Sequence, residues 1–272
     1  MKLKEIPASI YQNLRLKFVP IRRLHRSKKE ALPIIVSLTT IPSRLKTLHI
    51  TIRSILDQSR KPEKVVLWIN ENDVNNIPYS LIVLTGERFE IEVSPYTFSH
   101  RKLIHSLEKF PDHIIVTCDD DMIYRKNWLE ILYNEHLKNP LAITANQTRH
   151  IRYDSDGTLK PYKEWLYPEK NEISETAILP IGAEGVLYPP KMLDSEVLNV
   201  DLFLKLAPKA DDLWFKAMSF LKGTKSVQAE KTTKKAIPIF GTQAISLKKH
   251  NIDQDKNRTQ WQALTDYFDI EL

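Results

Sequence analysis

The chain has 272 residues, 42% of them hydrophobic, enough for one large core or two small ones, which argues against disorder over most of its length. Its formal charge is +6, yet residues 1 to 30 carry nine Lys or Arg against Glu5 and Glu30, a local +7. The rest, with 31 basic and 32 acidic residues, sums to about −1. A near-neutral body argues against a nucleic-acid binder, and the single Cys118 excludes an internal disulfide and a cysteine zinc site.

The chain opens with the arm "MKLKEIPASIYQNLRLKFVPIRRLHRSKK", in which Ile6, Ile10, Tyr11, Leu14, Leu16, Phe18, Val19, Ile21 and Leu24 alternate with positive charges. Two readings stand for residues 1 to 30: a solvated, partly helical extension, or a segment contacting an anionic membrane surface or a partner. No apolar run approaches the roughly 20 residues of a spanning helix, and no uninterrupted signal-peptide core is present. The expected location is therefore cytoplasmic, with the arm on the inner face of a membrane in the second reading.

Beyond the arm, "PIIVSL" (33 to 38) reads as a buried strand, and Leu45, Leu48, Ile52, Ile55 and Leu56 form one helical stripe. "KVVLWI" (64 to 69) and "FEIEVS" (89 to 94) read as strands, "RKLIHSLEKF" (101 to 110) as a helix and "HIIVT" (113 to 117) as a fourth strand. A helix is expected over 126 to 139, with Trp128, Leu129, Leu132 and Leu137 inward. Alternation of apolar strands with helices predicts an α/β fold with a mixed, mostly parallel sheet flanked by helices. Residues 151 to 175 read as a long loop or hairpin over the sheet edge. Residues 180 to 190 hold two of the six glycines, which suggests a close backbone approach, and Asp211 and Asp212 open a helix ended by Gly223. A strand-like piece, a polar loop and a helix close the chain.

The fourth strand ends in Asp119, Asp120 and Asp121. Three adjacent carboxylates repel one another and require a cation or a partner. Asp119 and Asp121 can bracket a hard divalent ion, Mn²⁺ or Mg²⁺, which takes oxygen ligands and completes its shell with phosphates and water. The bland alternative is a turn with solvated neighbours. For Asp211 and Asp212 the bland reading is helix capping; the functional one is an exposed general base beside Trp214 as a flat sugar platform. Tyr162, Trp165 and Tyr167 form a second candidate platform or anchor a loop onto the core. His100 and His105 read as solvated or capping residues.

These segments resemble the GT-A fold of nucleotide-sugar-dependent glycosyltransferases, over roughly residues 33 to 230. "VSLTTIPSR", "KLIHSLEKFPDHIIVTCDDDMIY", "GAEGVLYPPK" and "ADDLWFKA", in that order, are similar to bacterial enzymes that build capsule, lipopolysaccharide or other surface glycans. The resemblance implies a single domain over 31 to 272, with a nucleotide-binding half (31 to 145) and an acceptor-binding half (146 to 272). It implies that Thr39, Thr40, Arg44, Lys102, Asp119 and Asp120 bind the donor, that Asp119 and Asp121 ligate the metal with His250 as a further ligand, and that Glu184, Gly185 and Trp214 face the acceptor. Asp212, with Asp211 as its near alternative, matches the base of inverting members. The implied donor is a nucleoside-diphosphate sugar, a UDP-sugar favoured, and the acceptor a glycan or a lipid-linked sugar. Two rivals remain at this point: a metal-dependent phosphohydrolase or phosphotransferase, and a non-catalytic glycan- or nucleotide-binding protein of the same fold.

Overall fold

The computed structural model describes residues 3–26, 29–166, 174–242 and 255–272. The arm forms helices α1 (Ile6–Lys17) and α2 (Ile21–His25). There follow β1 (Leu32–Thr39), α3 (Leu45–Leu56), β2 (Pro62–Asn70), α4 (Tyr79–Ile82), β3 (Phe89–Ser94), α5 (Arg101–Lys109), β4 (Ile114–Thr117), β5 (Met122–Ile123) and α6 (Trp128–His136). The second half holds β6 (Ile143–Ala145), β7 (Thr148–His150), β8 (Ile178–Pro180), β9 (Val186–Tyr188), α7 (Val200–Leu206), α8 (Asp211–Leu221), β10 (Ser226–Gln228), β11 (Ile237–Pro238) and α9 (Lys256–Phe268).

Seven strands make the main sheet in the order β10-β6-β9-β4-β1-β2-β3. All its neighbours pair in parallel except β9, which runs antiparallel to both β4 and β6. The fold is mixed α/β and Rossmann-like. The central stretches of β1 and β2, 34 to 38 and 65 to 69, are apolar apart from Ser37 because helices cover both faces of the sheet. One face packs Ile34, Val36 and Leu38 against Leu48, Ile52 and Ile55 of α3 and Leu132 of α6. The other packs Ile115 and Tyr188 against Leu103 of α5, Phe203 of α7, Leu213 and Phe215 of α8 and Trp261 of α9.

The chain runs outward from β1 to β2 and β3, then returns to place β4 on the opposite side of β1. This reversal makes a crevice outside the carboxyl ends of β1 and β4, where open α/β sheets bind ligands. The turn after β1 and the aspartate run after β4 both open into it.

Two expectations, for Leu137 and His100, need correction, and the structure decides between the two readings of Tyr162 and Trp165. Leu137 is 56% exposed rather than inward, because α6 ends at His136 and the helical stripe stops with it. Trp165 is fully buried and Tyr162 nearly so, with Trp165 Nε1 donating to Lys160 O at 2.8 Å. They anchor the segment to the core and offer no sugar platform, while Tyr167 lies outside the described residues. His100 is fully buried, stacked on Phe203 at 4.2 Å between ring centroids, and burial pushes its imidazole down to about 4. It is a neutral core residue. The stretch 151 to 175, expected as a loop or hairpin, is flanked by the antiparallel pair β7 and β8, registered Thr148 to Pro180, and holds the isolated antiparallel pair Tyr153 and Leu159.

Candidate active site

The first wall of the crevice is the turn after β1. Thr39 closes the strand, its Oγ1 donating to Trp68 O of β2 at 2.9 Å. Arg101, in the first turn of α5, donates from Nη2 to Thr40 O at 2.6 Å and also to Thr39 Oγ1 and Tyr96 O. Its guanidinium therefore fixes the path of the loop that leads to Arg44.

The aspartate run divides its three carboxylates between two chain cations. Asp120 accepts from Thr40 Oγ1 at 2.6 Å and pairs with Arg44, while its carbonyl accepts from Thr51 Oγ1 at 2.8 Å. The second guanidinium nitrogen of Arg44 sits 3.1 Å from Asp121. Burial alone would lower the Arg44 guanidinium, but Asp120 and Asp121 outweigh it and hold the charge above the ordinary range. Asp119 turns the other way, to Lys102 at 3.4 Å. Its backbone is steadied by Tyr124, whose hydroxyl accepts from Asp119 N at 2.9 Å and lies 3.1 Å from Ala183 O.

Lys102 is where the two acidic clusters meet. Its ammonium is 3.0 Å from Asp211 at the start of α8 as well as 3.4 Å from Asp119, and its side chain is 6% exposed. Its backbone is held from below, since Ser37 in β1 donates to Lys102 O and accepts from Ser106 Oγ at 2.8 Å. Asp212 accepts from the Gly182 amide at 3.2 Å. A Cβ on Gly182 would lie 3.1 Å from Asp212, 3.2 Å from Lys102 and 3.9 Å from Asp119, so this glycine lets the backbone reach the centre of the cluster.

Charge in the cluster is unevenly shared. Burial would push the Lys102 ammonium down, but Asp211, Asp119 and Asp212 together hold it well above its usual range. For Asp211 burial works upward and is outweighed by Lys102, leaving the carboxyl below its ordinary value. Asp212 goes the other way. Burial first, then the neighbouring Asp211, push it up to about 7. Two adjacent carboxyls with pKa values driven apart give one permanent anion and one group that takes or releases a proton near neutrality.

Past Gly182, the short turn Gly182–Glu184 carries the backbone to a second hollow. Gly185 has φ +101°, and a Cβ there would sit 2.6 Å from Trp128 Cζ2. It serves the packing of this turn against α6 and has no side chain to offer an acceptor. The Glu184 carbonyl accepts from Trp128 Nε1 at 2.7 Å and Asn146 Nδ2 at 3.0 Å. Its carboxylate accepts from Ala236 N at 3.0 Å and lines a cleft of about 270 Å³ with Asn146, Gln147, Thr148, Gln228 and Lys235. Burial raises the Glu184 carboxyl.

Trp214 corrects the sequence reading. It is fully buried, Nε1 donating to Val197 O at 3.1 Å, because α8 sends its first-turn carboxylates toward the crevice and Trp214 into the core beside Phe203. It cannot carry a sugar. His250 lies outside the described residues. Sequence reasoning missed Arg101, Thr51 and Tyr124, which act on the backbone of the site; Tyr124 follows the aspartate run and Arg101 precedes Lys102, but neither position signals a backbone partner.

No family model matches this chain. Among curated proteins it is 21% identical over 217 residues to a lysine–tRNA ligase of Wigglesworthia glossinidia brevipalpis, covering 75% of this chain and 42% of the ligase. The chain thus spans less than half the length of that relative. Among solved structures it resembles 4-diphosphocytidyl-2C-methyl-D-erythritol synthase from Anaerococcus prevotii, at 14% identity and a TM-score of 0.45, covering 84% of this chain and 95% of that one.

The fit to a divalent cation rests on the donors present. Among the described residues no group of three or more His, Cys, Asp and Glu side chains gathers for a metal. Asp121 is engaged by Arg44, whereas the Asp119 side chain is 38% exposed. Mg²⁺ and its like are commonly held by one or two carboxylates together with substrate phosphates and water. Asp119 fits such a shared site.

Proposed function

We propose that the chain is an inverting glycosyltransferase that moves a hexose from a nucleoside-diphosphate sugar, a UDP-sugar in the first place, to a hydroxyl of a glycan or lipid-linked acceptor. The observation that carries this reading is the meeting of Asp119 and Asp212 around Lys102 and the Gly182 amide, with Asp212 poised near neutrality. It supports a leaving-group side and a base side within one crevice.

Arg44 and Lys102 supply positive charge to the diphosphate, with Thr39 and Thr40 lining its approach. Asp119, with Asp121 once Arg44 turns to the phosphates, would hold a divalent cation, which when bound neutralises charge on the leaving diphosphate. The bond from the anomeric carbon to the phosphate oxygen breaks with its electron pair leaving on the diphosphate. The acceptor oxygen forms the new bond from the opposite face, and its proton passes to Asp212. A carboxyl near 7 suits that task, being partly ionised at neutral pH and basic enough to take the proton. The cleft beyond Gly182, lined by amides, hydroxyls and the Glu184 carboxylate, suits an acceptor rich in hydroxyl groups.

Calorimetric titration with nucleoside diphosphates, with and without Mn²⁺, tests the reading together with a transfer assay. Asp121→Ala is expected to abolish metal-dependent nucleotide binding. Asp212→Asn is expected to keep nucleotide binding and lose transfer by at least about a hundredfold. Absence of nucleotide binding under every condition would overturn the proposal.

A further inference from the structure

The amino-terminal arm has two chemically distinct sides. Its inner side is built into the body: Ser9, Leu16 and Leu24 are fully buried. Arg15 pairs with Asp57 at 2.8 Å, and Arg53 donates to the carbonyls of Leu16 at 3.2 Å and Val19 at 2.9 Å. Ser9 Oγ donates to Pro238 O at 2.9 Å and accepts from Phe240 N at 3.0 Å. The amide between them, that of Ile239, donates to Asp121 O at 2.9 Å. The arm is thus a fixed element, joined through one strand to the backbone of the aspartate run.

The outer side should be polar if it faced only water. Instead Leu3, Ile10, Tyr11, Leu14, Phe18 and Ile21 are 85, 47, 64, 51, 82 and 37% exposed. Ile10, Tyr11, Leu14 and Phe18 follow helical spacing and lie on one side of α1 and its end. Lys17, next to Phe18, and Arg22, Arg23 and Arg26 of the following segment are also exposed, and Glu5 is the only acidic residue from 3 to 26. An apolar stripe rimmed by basic groups is the pattern of a helix lying in a membrane interface.

We propose that this face seats on an anionic bilayer, with the apolar stripe entering the headgroup region and the basic side chains contacting lipid phosphates. Charge decides between occupants. A second copy of the chain, related by a two-fold axis, would bring like charges together across the contact, whereas an anionic lipid surface satisfies the apolar and the basic groups at once. The proposal is independent of the transfer reaction.

Cosedimentation of the full chain with vesicles tests it, using phosphatidylcholine alone and equal parts of phosphatidylcholine and phosphatidylglycerol. Binding to the mixed vesicles is expected to exceed that to neutral ones by at least about tenfold and to weaken with salt. Arg22→Ser with Arg23→Ser is expected to weaken it by about fivefold for each side chain removed. Leu14→Gln with Phe18→Ser is expected to abolish binding while leaving the thermal unfolding midpoint in place, because both side chains are exposed. Undiminished binding by that apolar variant, or no binding to mixed vesicles, would overturn the proposal. A dimer in sedimentation equilibrium that the same variant dissociates would assign the face to a second copy instead.

Discussion

Replacing Asp212 by Asn tests the charge arithmetic of the site through stability, without any substrate. Burial and Asp211 push the Asp212 carboxyl from its ordinary 3.8 up to about 7. Between those values the folded chain retains a proton that the unfolded chain has released, so stability is full below 3.8 and is lost as pH rises through about 7. Each pH unit of that window costs about 1.4 kcal/mol, and a window of about three units costs about 4 kcal/mol. Asp211 is held low by Lys102 and titrates on the acid side of 3.8, outside the window. Asn keeps a carbonyl for the Gly182 amide, which lies 3.2 Å from the present carboxylate, and removes the ionisation. Urea denaturation near pH 4.5 and pH 7.5 should therefore find the variant close to the wild type at the lower pH and about 3 kcal/mol more stable at the higher one. The same substitution is expected to lose transfer, so stability and activity would part company at one atom. A stability difference that does not change between the two pH values would show that Asp212 is not held in its neutral form by the fold, and the assignment of the base would fail with it.

Gly185→Ala would place a Cβ 2.6 Å from the Trp128 ring at a residue with φ +101°, and a loss of about 3 kcal/mol is expected from overpacking and backbone strain together. A loss under about 1 kcal/mol in urea denaturation would mean that the turn yields easily. Arg44→Ala leaves Asp120 and Asp121 without their shared cation, and should cost about 3 kcal/mol at neutral pH, less in acid where the carboxyls protonate. Its nucleoside-diphosphate affinity in calorimetry should also drop; unchanged affinity would remove Arg44 from the donor side.

Much of the architecture was legible in the sequence because the signals are local. Runs such as "PIIVSL" and "KVVLWI" become β1 and β2, and the stripe from Leu45 to Leu56 becomes the buried side of α3. Local signals fail where a residue's surroundings come from distant elements. The acidic neighbours of Trp214 suggest a surface platform, yet α7 and the segment near Val197 enclose it. His100, beside a helix start, reads as solvated or capping; it stands at the N-cap position of α5 without a side-chain cap, and Phe203 covers it. No spacing rule reports such coverage.

The site itself divides along the same line. Sequence alone determined that two acidic clusters, a lysine before the fourth strand and a glycine-containing turn are present, since residue identity and strand ends are local facts. Only the tertiary structure decided that Lys102 stands between Asp119 and Asp211, that Arg44 takes Asp120 and Asp121, and that Gly182 admits Asp212 to the cluster. The same holds for the arm, whose alternating apolar residues became a docked side and an exposed side only against α3 and β11. The physical reason is common to both: pairing and burial depend on distances between groups remote in sequence, which only the packing of whole elements sets.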